Sequence, residues 1–204
     1  MIEILAKNID DVWFGVAYDG ESVLALTFGS NEQRAIESLQ TSLPHDTPCK
    51  RISRGSCFGE HAIEVVKTVY DGKDVACDLS LDMRRLTGYT RRILETTMLV
   101  PAGYVTSYGA IAKAAGGGPR AVGNAMASNP FAPIVPCHRV ISSNLTLGGY
   151  GGGLKMKLEF LKRERRGHRA EREIRSGNLK LKVFPVEVVL KKLESNCRNT
   201  PRSD

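Results

Sequence analysis

Apolar and polar positions follow two different periods along the chain. Val12 to Ala17 and Val23 to Phe28 are short runs rich in β-branched and aromatic residues. Tyr18-Asp19-Gly20-Glu21 lies between them, and its Asp-Gly pair supplies the positive φ that a tight hairpin needs. Asn31 to Leu43 reads as a helix that stops before Pro44. Phe58, Ala62, Val65, Val66 and Val69 fall on one face of a second helix, which Asp71-Gly72 ends. Asp78 to Met83 is expected to return as a strand. These elements make a small α+β domain over residues 1–82.

From residue 86 the period becomes helical. Thr90 is placed to cap a helix through Arg91, Ile93, Leu94 and Met98, with Pro101 beyond its end. Ser107 caps a short helix, Tyr108 to Ala115. Gly116-Gly117-Gly118 breaks the pattern, and Pro119 suits the first turn of a further helix, Arg120 to Ala127, where its missing N–H costs nothing. Asn129-Pro130 closes that helix. Helix, glycine turn, helix is the outline of a helix-turn-helix, although any α domain can hold such a pair. Ala121, Gly123, Ala125 and Ala127 leave little bulk on the second helix, which suits close approach to another helix or to DNA.

Charge changes the picture by its placement. The net charge is +7, but residues 1–80 hold 7 Lys/Arg against 13 Asp/Glu, a balance of −6. Residues 81–204 hold 22 Lys/Arg against 9 Asp/Glu, a balance of +13. The second part attracts polyanions, and nucleic acid weighs evenly there against a merely solvated basic surface. Hydrophobic residues at 42% and charged residues at 25% exclude a disordered chain or a collagen. No apolar run approaches the ~18–20 residues of a membrane span. The first residues lack the basic-then-apolar pattern of a secretory signal, so a cytoplasmic location is expected. Cys49, Cys57, Cys77, Cys137 and Cys197 include no C-x-x-C spacing. With His45, His61, His138 and His168 they give no zinc-finger spacing. No metal or cofactor is expected.

The stretch that carries chemistry begins at Ile134-Val135-Pro136-Cys137-His138-Arg139-Val140. A Cys-His pair alone is uninformative, but its neighbours raise its interest. Pro133 and Pro136 stiffen the approach. Gly148-Gly149-Tyr150-Gly151-Gly152-Gly153 comes next, a loop with little side-chain bulk around one tyrosine. Leu154 to Glu164 then reads as a helix on which Lys157, Leu161 and Glu164 share a stripe, so Glu164 is able to point inward. Cysteine, histidine and an inward carboxylate are the parts of an activated thiol. The bland alternative for Glu164 is a surface residue paired with lysine.

Pro136-Cys137-His138-Arg139-Val140, with Arg120-Ala121-Val122-Gly123 before it and Tyr150 to Glu164 after it, resembles the O6-alkylguanine-DNA alkyltransferase family over residues 86–164. Three linked motifs in the right order are highly specific; the N-terminal third matches only in its expected architecture. The resemblance implies an α+β fold, with a ribonuclease H-like domain over 1–82 and a helical DNA-binding and acceptor domain with a helix-turn-helix over 83–165. Beyond it lies a basic extension over 166–204 with a partly β-like Leu179 to Leu190, where a solvated helix and tail is the preferred reading over an extra DNA contact.

It also implies a direct-repair enzyme, a methylated-DNA–protein-cysteine methyltransferase that moves an alkyl group from O6 of guanine, and less readily O4 of thymine, to its own Cys137. His138 acts as base through a water and Glu164 orients it. Tyr108 crowds the target phosphate, helps rotate the nucleotide out and is the candidate donor to the departing guanine. Arg120 fills the vacated place in the duplex, and Tyr150 lines the guanine pocket. The main-chain carbonyls of Cys137 and Val140 receive the exocyclic amine. Asn129 ties the recognition helix to the active-site loop, and Lys157 lies near the base. The partner is double-stranded DNA carrying O6-alkylguanine, with no membrane, and the family pattern requires no more than a monomer. Zinc occurs in the N-terminal domain of some relatives, but no Cys or His precedes His45 here. Gly151 and Ala132 stand where serine and proline are frequent, which alters pocket shape.

Three other readings compete. A non-catalytic sensor of alkylated guanine has no acceptor cysteine. A helix-turn-helix regulator needs neither the Cys-His pair nor an inward Glu164. A cysteine hydrolase needs an oxyanion-hole motif, and none accompanies Cys137.

Overall fold

A computed structural model describes residues 1–44, 47–75 and 77–198, with side chains omitted at 196–198. His45, the Cys197 side chain and the tail after residue 198 therefore lie outside the described residues. The fold is mixed α+β and gathers into two units, residues 1–87 with 129–135, and residues 88–128 with 136 onward.

The first unit is built on a four-stranded sheet. β1 (Ile2–Ile9), β2 (Val12–Asp19) and β3 (Ser22–Gly29) form an antiparallel meander, and β4 (Cys49–Ile52) joins the far edge parallel to β1. The Asp-Gly hairpin is present between β2 and β3, and Gly20 takes φ 59° as the turn requires. Asn31 caps α1 (Glu32–Ser42) by accepting from the Arg34 N–H, and Ser56 caps α2 (Cys57–Tyr70) by accepting from Gly59 N–H. Leu39 of α1 joins Ile2, Ile4, Ala17, Leu24 and Ala25 in the sheet's core. Gly59 lets α2 come close to the sheet, since a Cβ there would stand 2.7 Å from the Tyr18 hydroxyl. The strand expected over Asp78–Met83 is reduced to one bridge, Val23 with Leu81. That segment pairs through Val23 alone, its amide donating to Ser80 O and its carbonyl accepting from Asp82 N. Residues 129–135 belong to this unit and attach to β3 where Leu26 N–H donates to Pro130 O at 2.7 Å.

The second unit contains α3 (Gly88–Met98), β5 (Tyr104–Ser107), α4 (Tyr108–Ala115) and α5 (Pro119–Ala127). After these come a single 3-10 turn (Cys137–Arg139), β6 (Val140–Ile141) and α6 (Leu154–Arg163), then β7 (Arg172–Ser176), β8 (Leu179–Pro185) and α7 (Val186–Arg198). Helix α3 starts two residues before Thr90, which therefore sits in its first turn rather than capping it. Ser107 does cap α4, accepting from Ala110 N–H, and Pro119 opens α5. The small residues of α5 do not form one outward stripe: Ala125 is buried, while nothing approaches within 4 Å of the place a Gly123 Cβ would take.

The strands of this unit form a sheet in the order β6-β5-β8-β7. Residues 172–198 are thus no solvated tail. Leu181 and Val183 alternate with Lys180 and Lys182, turning one face of β8 inward, and Val186 and Val189 of α7 join Val105, Ile141 and Leu161 in the core. The charge of the segment masks this period-2 pattern. Leu179–Pro185 is a strand, and the residues from Val186 onward form a helix rather than a β element.

Candidate active site

A cavity of about 430 Å³ opens in the second unit between α4, α5 and the glycine loop. Tyr108, Gly123, Met126, Cys137 and Tyr150 line it. Cys137 begins the 3-10 turn, is 7% exposed and lines this cavity. The turn is held by the Val140 N–H, which donates to Cys137 O, and by β6, where Val140 pairs with Thr106 of β5. Cys49, Cys57, Cys77 and Cys137 form no disulfide.

The next residue of the turn begins a buried relay. His138 Nε2 is 2.8 Å from Glu164 Oε1, and both side chains are fully buried. An ionised carboxylate only accepts, so Nε2 carries the proton and Nδ1 holds a lone pair. Nδ1 is buried with no hydrogen-bond partner among the described residues. The ring stacks on Phe160 at 4.5 Å, which fixes its plane. Burial pushes His138 toward the neutral form against the pull of Glu164. Burial works to raise the Glu164 pKa, but the pairing with His138 and then with Arg139 outweighs it and holds it at about 2. The relay at neutral pH is therefore an ionised carboxylate beneath a neutral imidazole.

Arg139 is the member that sequence reasoning left without a role. Its Nε donates to both Glu164 oxygens at 3.0–3.1 Å, and a terminal nitrogen donates to Oε1 at 2.7 Å. The other terminal nitrogen donates to Val100 O at 2.6 Å. Its adjacency to His138 in Pro-Cys-His-Arg was the available signal: on so tight a turn the next side chain also reaches α6. Phe160, one turn before Glu164 on α6, was likewise missed.

Lys157 is fully buried, and its ammonium donates to Val140 O at 2.5 Å and Gly149 O at 3.1 Å. It also lies 5.8 Å from the Tyr108 ring centre and 6.0 Å from that of Tyr150. Burial lowers its pKa to about 8, with a Cys137 thiolate acting the other way. The Tyr108 hydroxyl donates to the same Gly149 O at 3.1 Å, and burial, with the nearby Cys137 charge, raises its pKa. Tyr150 meets Phe160 edge-on at 6.4 Å.

The expected site residues are thus partly assembled. Cys137, His138, Glu164, Lys157, Tyr108, Tyr150 and Val140 come together in this unit. The carbonyls of Cys137 and Val140, expected to wait for a ligand amine, each already accept an internal donor. Arg120 stands exposed in the first turn of α5 and makes no ion pair among the described residues. Asn129 belongs to the other unit, where its amide donates to Val135 O at 2.9 Å and its oxygen accepts from Phe131 N–H at 3.0 Å. Among the described residues no group of three or more His, Cys, Asp or Glu is placed to hold a metal ion. No described helix is long and apolar enough to cross a membrane.

Comparison with known proteins bears on this arrangement. Residues 88–166 match the family described as 6-O-methylguanine DNA methyltransferase, DNA binding domain. The methylated-DNA–protein-cysteine methyltransferase of Methanothermobacter thermautotrophicus is 41% identical over 103 residues, half of this chain and 58% of that protein. The Mycolicibacterium paratuberculosis protein of the same name is 42% identical, with 64% of its length covered, so the chain spans under two thirds of each. The Mycobacterium bovis protein is 40% identical over 131 residues, 63% of this chain and 75% of that one. The crystal structure of a Mycobacterium tuberculosis O6-methylguanine methyltransferase variant superposes with a TM-score of 0.64 at 30% identity, covering 83% of this chain and 96% of its own. Mycobacterium tuberculosis OGT in complex with DNA gives 0.64 at 28%, covering 80% and 92%. A matching DNA-binding-domain segment, a relative covered to three quarters of its length and a common fold establish that the chain belongs to the methylated-DNA–protein-cysteine methyltransferase family.

Proposed function

We propose that this protein repairs alkylated double-stranded DNA by moving a methyl or larger alkyl group from O6 of guanine, and less readily O4 of thymine, onto Cys137, once per molecule. The observation that carries this reading is the cysteine lining a cavity, with a neutral, carboxylate-bound imidazole on the next residue. His138 Nδ1 has the lone pair to take the Cys137 proton through a water, while Glu164 stabilises the imidazolium that forms. The S–C bond forms as the C–O6 bond breaks, in line, and guanine leaves with the electron pair. Tyr108 is the donor that stabilises the departing base; the proton that guanine finally keeps is replaced on the Tyr108 hydroxyl through water by the one His138 took from Cys137, so the site returns to neutral. The product is a thioether, which no residue of the site is equipped to hydrolyse.

A base inside a duplex does not reach this thiol, so the nucleotide must turn out of the stack, at a cost of a few kcal/mol. Helices α4 and α5 serve as the helix-turn-helix in the minor groove. Arg120, exposed at the start of α5, fills the gap in the stack. Tyr150 faces the base, and Lys157 holds the Val140 and Gly149 carbonyls that shape the pocket. Asn129 stiffens the segment that leads to Pro136. The open space beside Gly123 and Gly151, where a Cβ would meet nothing within 4 Å, supports acceptance of bulky adducts. The first unit reads as ribonuclease H-like, on the strength of three antiparallel strands, a helix and a fourth strand parallel to the first. A cytoplasmic location goes with the chemistry, because an acceptor thiol must stay reduced to react.

The test is to mix the protein with a duplex carrying one O6-methylguanine and record its intact mass. A gain of one methylene mass, mapped to Cys137 and stopping at one per protein, is expected. No gain together with tight lesion binding replaces this reading with that of a lesion sensor.

A further inference from the structure

We infer that the outward face of the β7–β8 hairpin is a second DNA contact, binding the phosphate backbone of the duplex that flanks the lesion. This rests on the proposed reading of the protein as a DNA alkyltransferase. The hairpin lies beyond the residues 88–166 that match the family's DNA-binding domain, and the chemistry at Cys137 makes no use of it.

Its position relative to α4 is fixed by hydrogen bonds. β8 pairs antiparallel with β5, through Tyr104 with Pro185 and Val105 with Phe184, and Thr106 Oγ1 donates to Lys182 O at 2.8 Å. Ser107, the next residue after Thr106, caps α4. At its tip, Ser176 and Leu179 border a cavity of about 300 Å³ with Arg92, Ala114 and Ala115. Ala115 ends α4, and Gly116–Gly118 lead from it into α5 and Arg120. The last turn of α4 also carries Lys113, exposed. The hairpin tip therefore adjoins the end of the helix pair that meets the duplex.

The charge on that face is only partly balanced: Glu173 stands opposite Lys182, a favourable pair, but the next outward pair is cation against cation. Alternation along the strands puts Glu173, Arg175, Lys180 and Lys182 on the outward side, and the register sets Arg175 directly opposite Lys180. Like charges directly opposite destabilise a strand pair. Arg175 has Glu173 at 2.8 Å and Lys182 has Glu171 at 3.0 Å, but Lys180 has no ion pair among the described residues. A hairpin serving only to complete the sheet gains nothing from this pairing. A polyanion laid along the face removes the repulsion and takes the uncompensated charge. Duplex DNA is the polyanion already bound next to it under the proposed reading, and its backbone continues past the lesion on both sides.

The experiment measures DNA affinity against salt for the full chain, its R175Q/K180Q variant and its E173Q variant. Two duplexes carrying O6-methylguanine are used, one limited to the immediate neighbours of the lesion and one longer by about one helical turn on each side. On the long duplex R175Q/K180Q is expected to flatten the slope of log affinity against log salt by about 0.9 for each phosphate no longer neutralised, so by nearly 2 for the pair. E173Q, which frees Arg175, is expected to steepen it. On the short duplex all three proteins should agree. Removing the like-charge pair should leave the melting temperature unchanged or raised, so weak binding is not mistaken for misfolding. Equal slopes for all three proteins on the long duplex overturn the inference, as does an equal loss on both duplexes, which places the hairpin at the lesion itself. Methyl transfer to Cys137 is recorded in parallel. If it fails in the unmodified protein the underlying reading falls; if it proceeds while the slopes stay equal, only the hairpin's role falls.

Discussion

Arg139 holds Glu164 through a fork: Nε lies 3.0 Å from Oε2 and a terminal nitrogen 2.7 Å from Oε1. The same Oε1 accepts from His138, so one carboxylate oxygen serves two donors of different character. The guanidinium keeps the carboxylate charged, and the charged carboxylate keeps the imidazole proton on Nε2. Nδ1 is left with its lone pair and no hydrogen-bond partner among the described residues. With its remaining nitrogen on Val100 O, Arg139 also fastens the relay to the segment after α3.

Replacing Arg139 by methionine leaves a buried carboxylate with half its partners. Breaking such a pair costs about 3–5 kcal/mol, and urea denaturation should show a loss of that order. Arg139→Lys keeps the charge but not the fork, and should slow methyl transfer while restoring part of the stability. A lysine variant with the original transfer rate sinks the positioning role.

His138 is held neutral by burial, whereas the unfolded chain protonates it below about pH 6.5. Below that value the unfolded state binds the extra proton, so stability declines as pH falls through 6.5. Glu164, depressed to about 2 in the fold, contributes stability above its unfolded pKa of about 4.3 that is lost as pH falls from there toward 2. Denaturation midpoints between pH 8 and pH 5 should fall in the unmodified protein and fall less in His138→Gln. Parallel curves contradict the assignment.

For Lys157 the sign is the same, in a higher pH range. Its pKa drops from 10.5 to about 8, so between those values the unfolded state binds more protons and folding gains as pH rises, by about 3 kcal/mol over the window. Lys157→Met should lack that gain, and should also loosen the Gly149 loop whose carbonyl the ammonium holds. The difference between the two proteins' stabilities at pH 7.5 and pH 10 is the measurement, and a constant difference counts against it.

Cys137→Ala should bind lesion duplex as the unmodified protein does and take up no methyl group. Lost binding instead makes the cysteine structural, and continued transfer places the acceptor elsewhere.

Arg120→Ala should slow repair of the lesion in duplex DNA by about tenfold or more, the scale of a few kcal/mol of unstacking no longer offset. Reaction with the free O6-alkylguanine base should be nearly unchanged. Equal effects on both substrates remove the stack-filling role.

Much of the fold is legible where a local rule has no competitor. Asn31, Ser56 and Ser107 begin helices as their side chains dictate, although the sequence pattern marks only Asn31 and Ser107 at those boundaries. Cys137, His138 and Glu164 are readable because a turn and a helix period each bring a short-range pattern together. The hidden part depends on pairing at a distance. β1 lacks clean alternation, since Ile4 and Leu5 are both buried, and β4 is a polar edge strand known only by its neighbour. β8 is disguised by its lysines. Arg139 gives no period at all; its role exists only because α6 passes within reach.

Strand β5 is four residues long, yet it sits between β6 and β8, and its last residue caps the helix that begins with Tyr108. Its pairing of Thr106 with Val140 sets the span from the Tyr108 ring to the Cys137 turn. A ladder moves only in whole residues, and a slip of one turns every side chain to the opposite face. The spacing between the aromatic wall and the sulfur is therefore a discrete quantity, protected from gradual drift. Substitutions elsewhere in the unit either leave it as it is or abolish it.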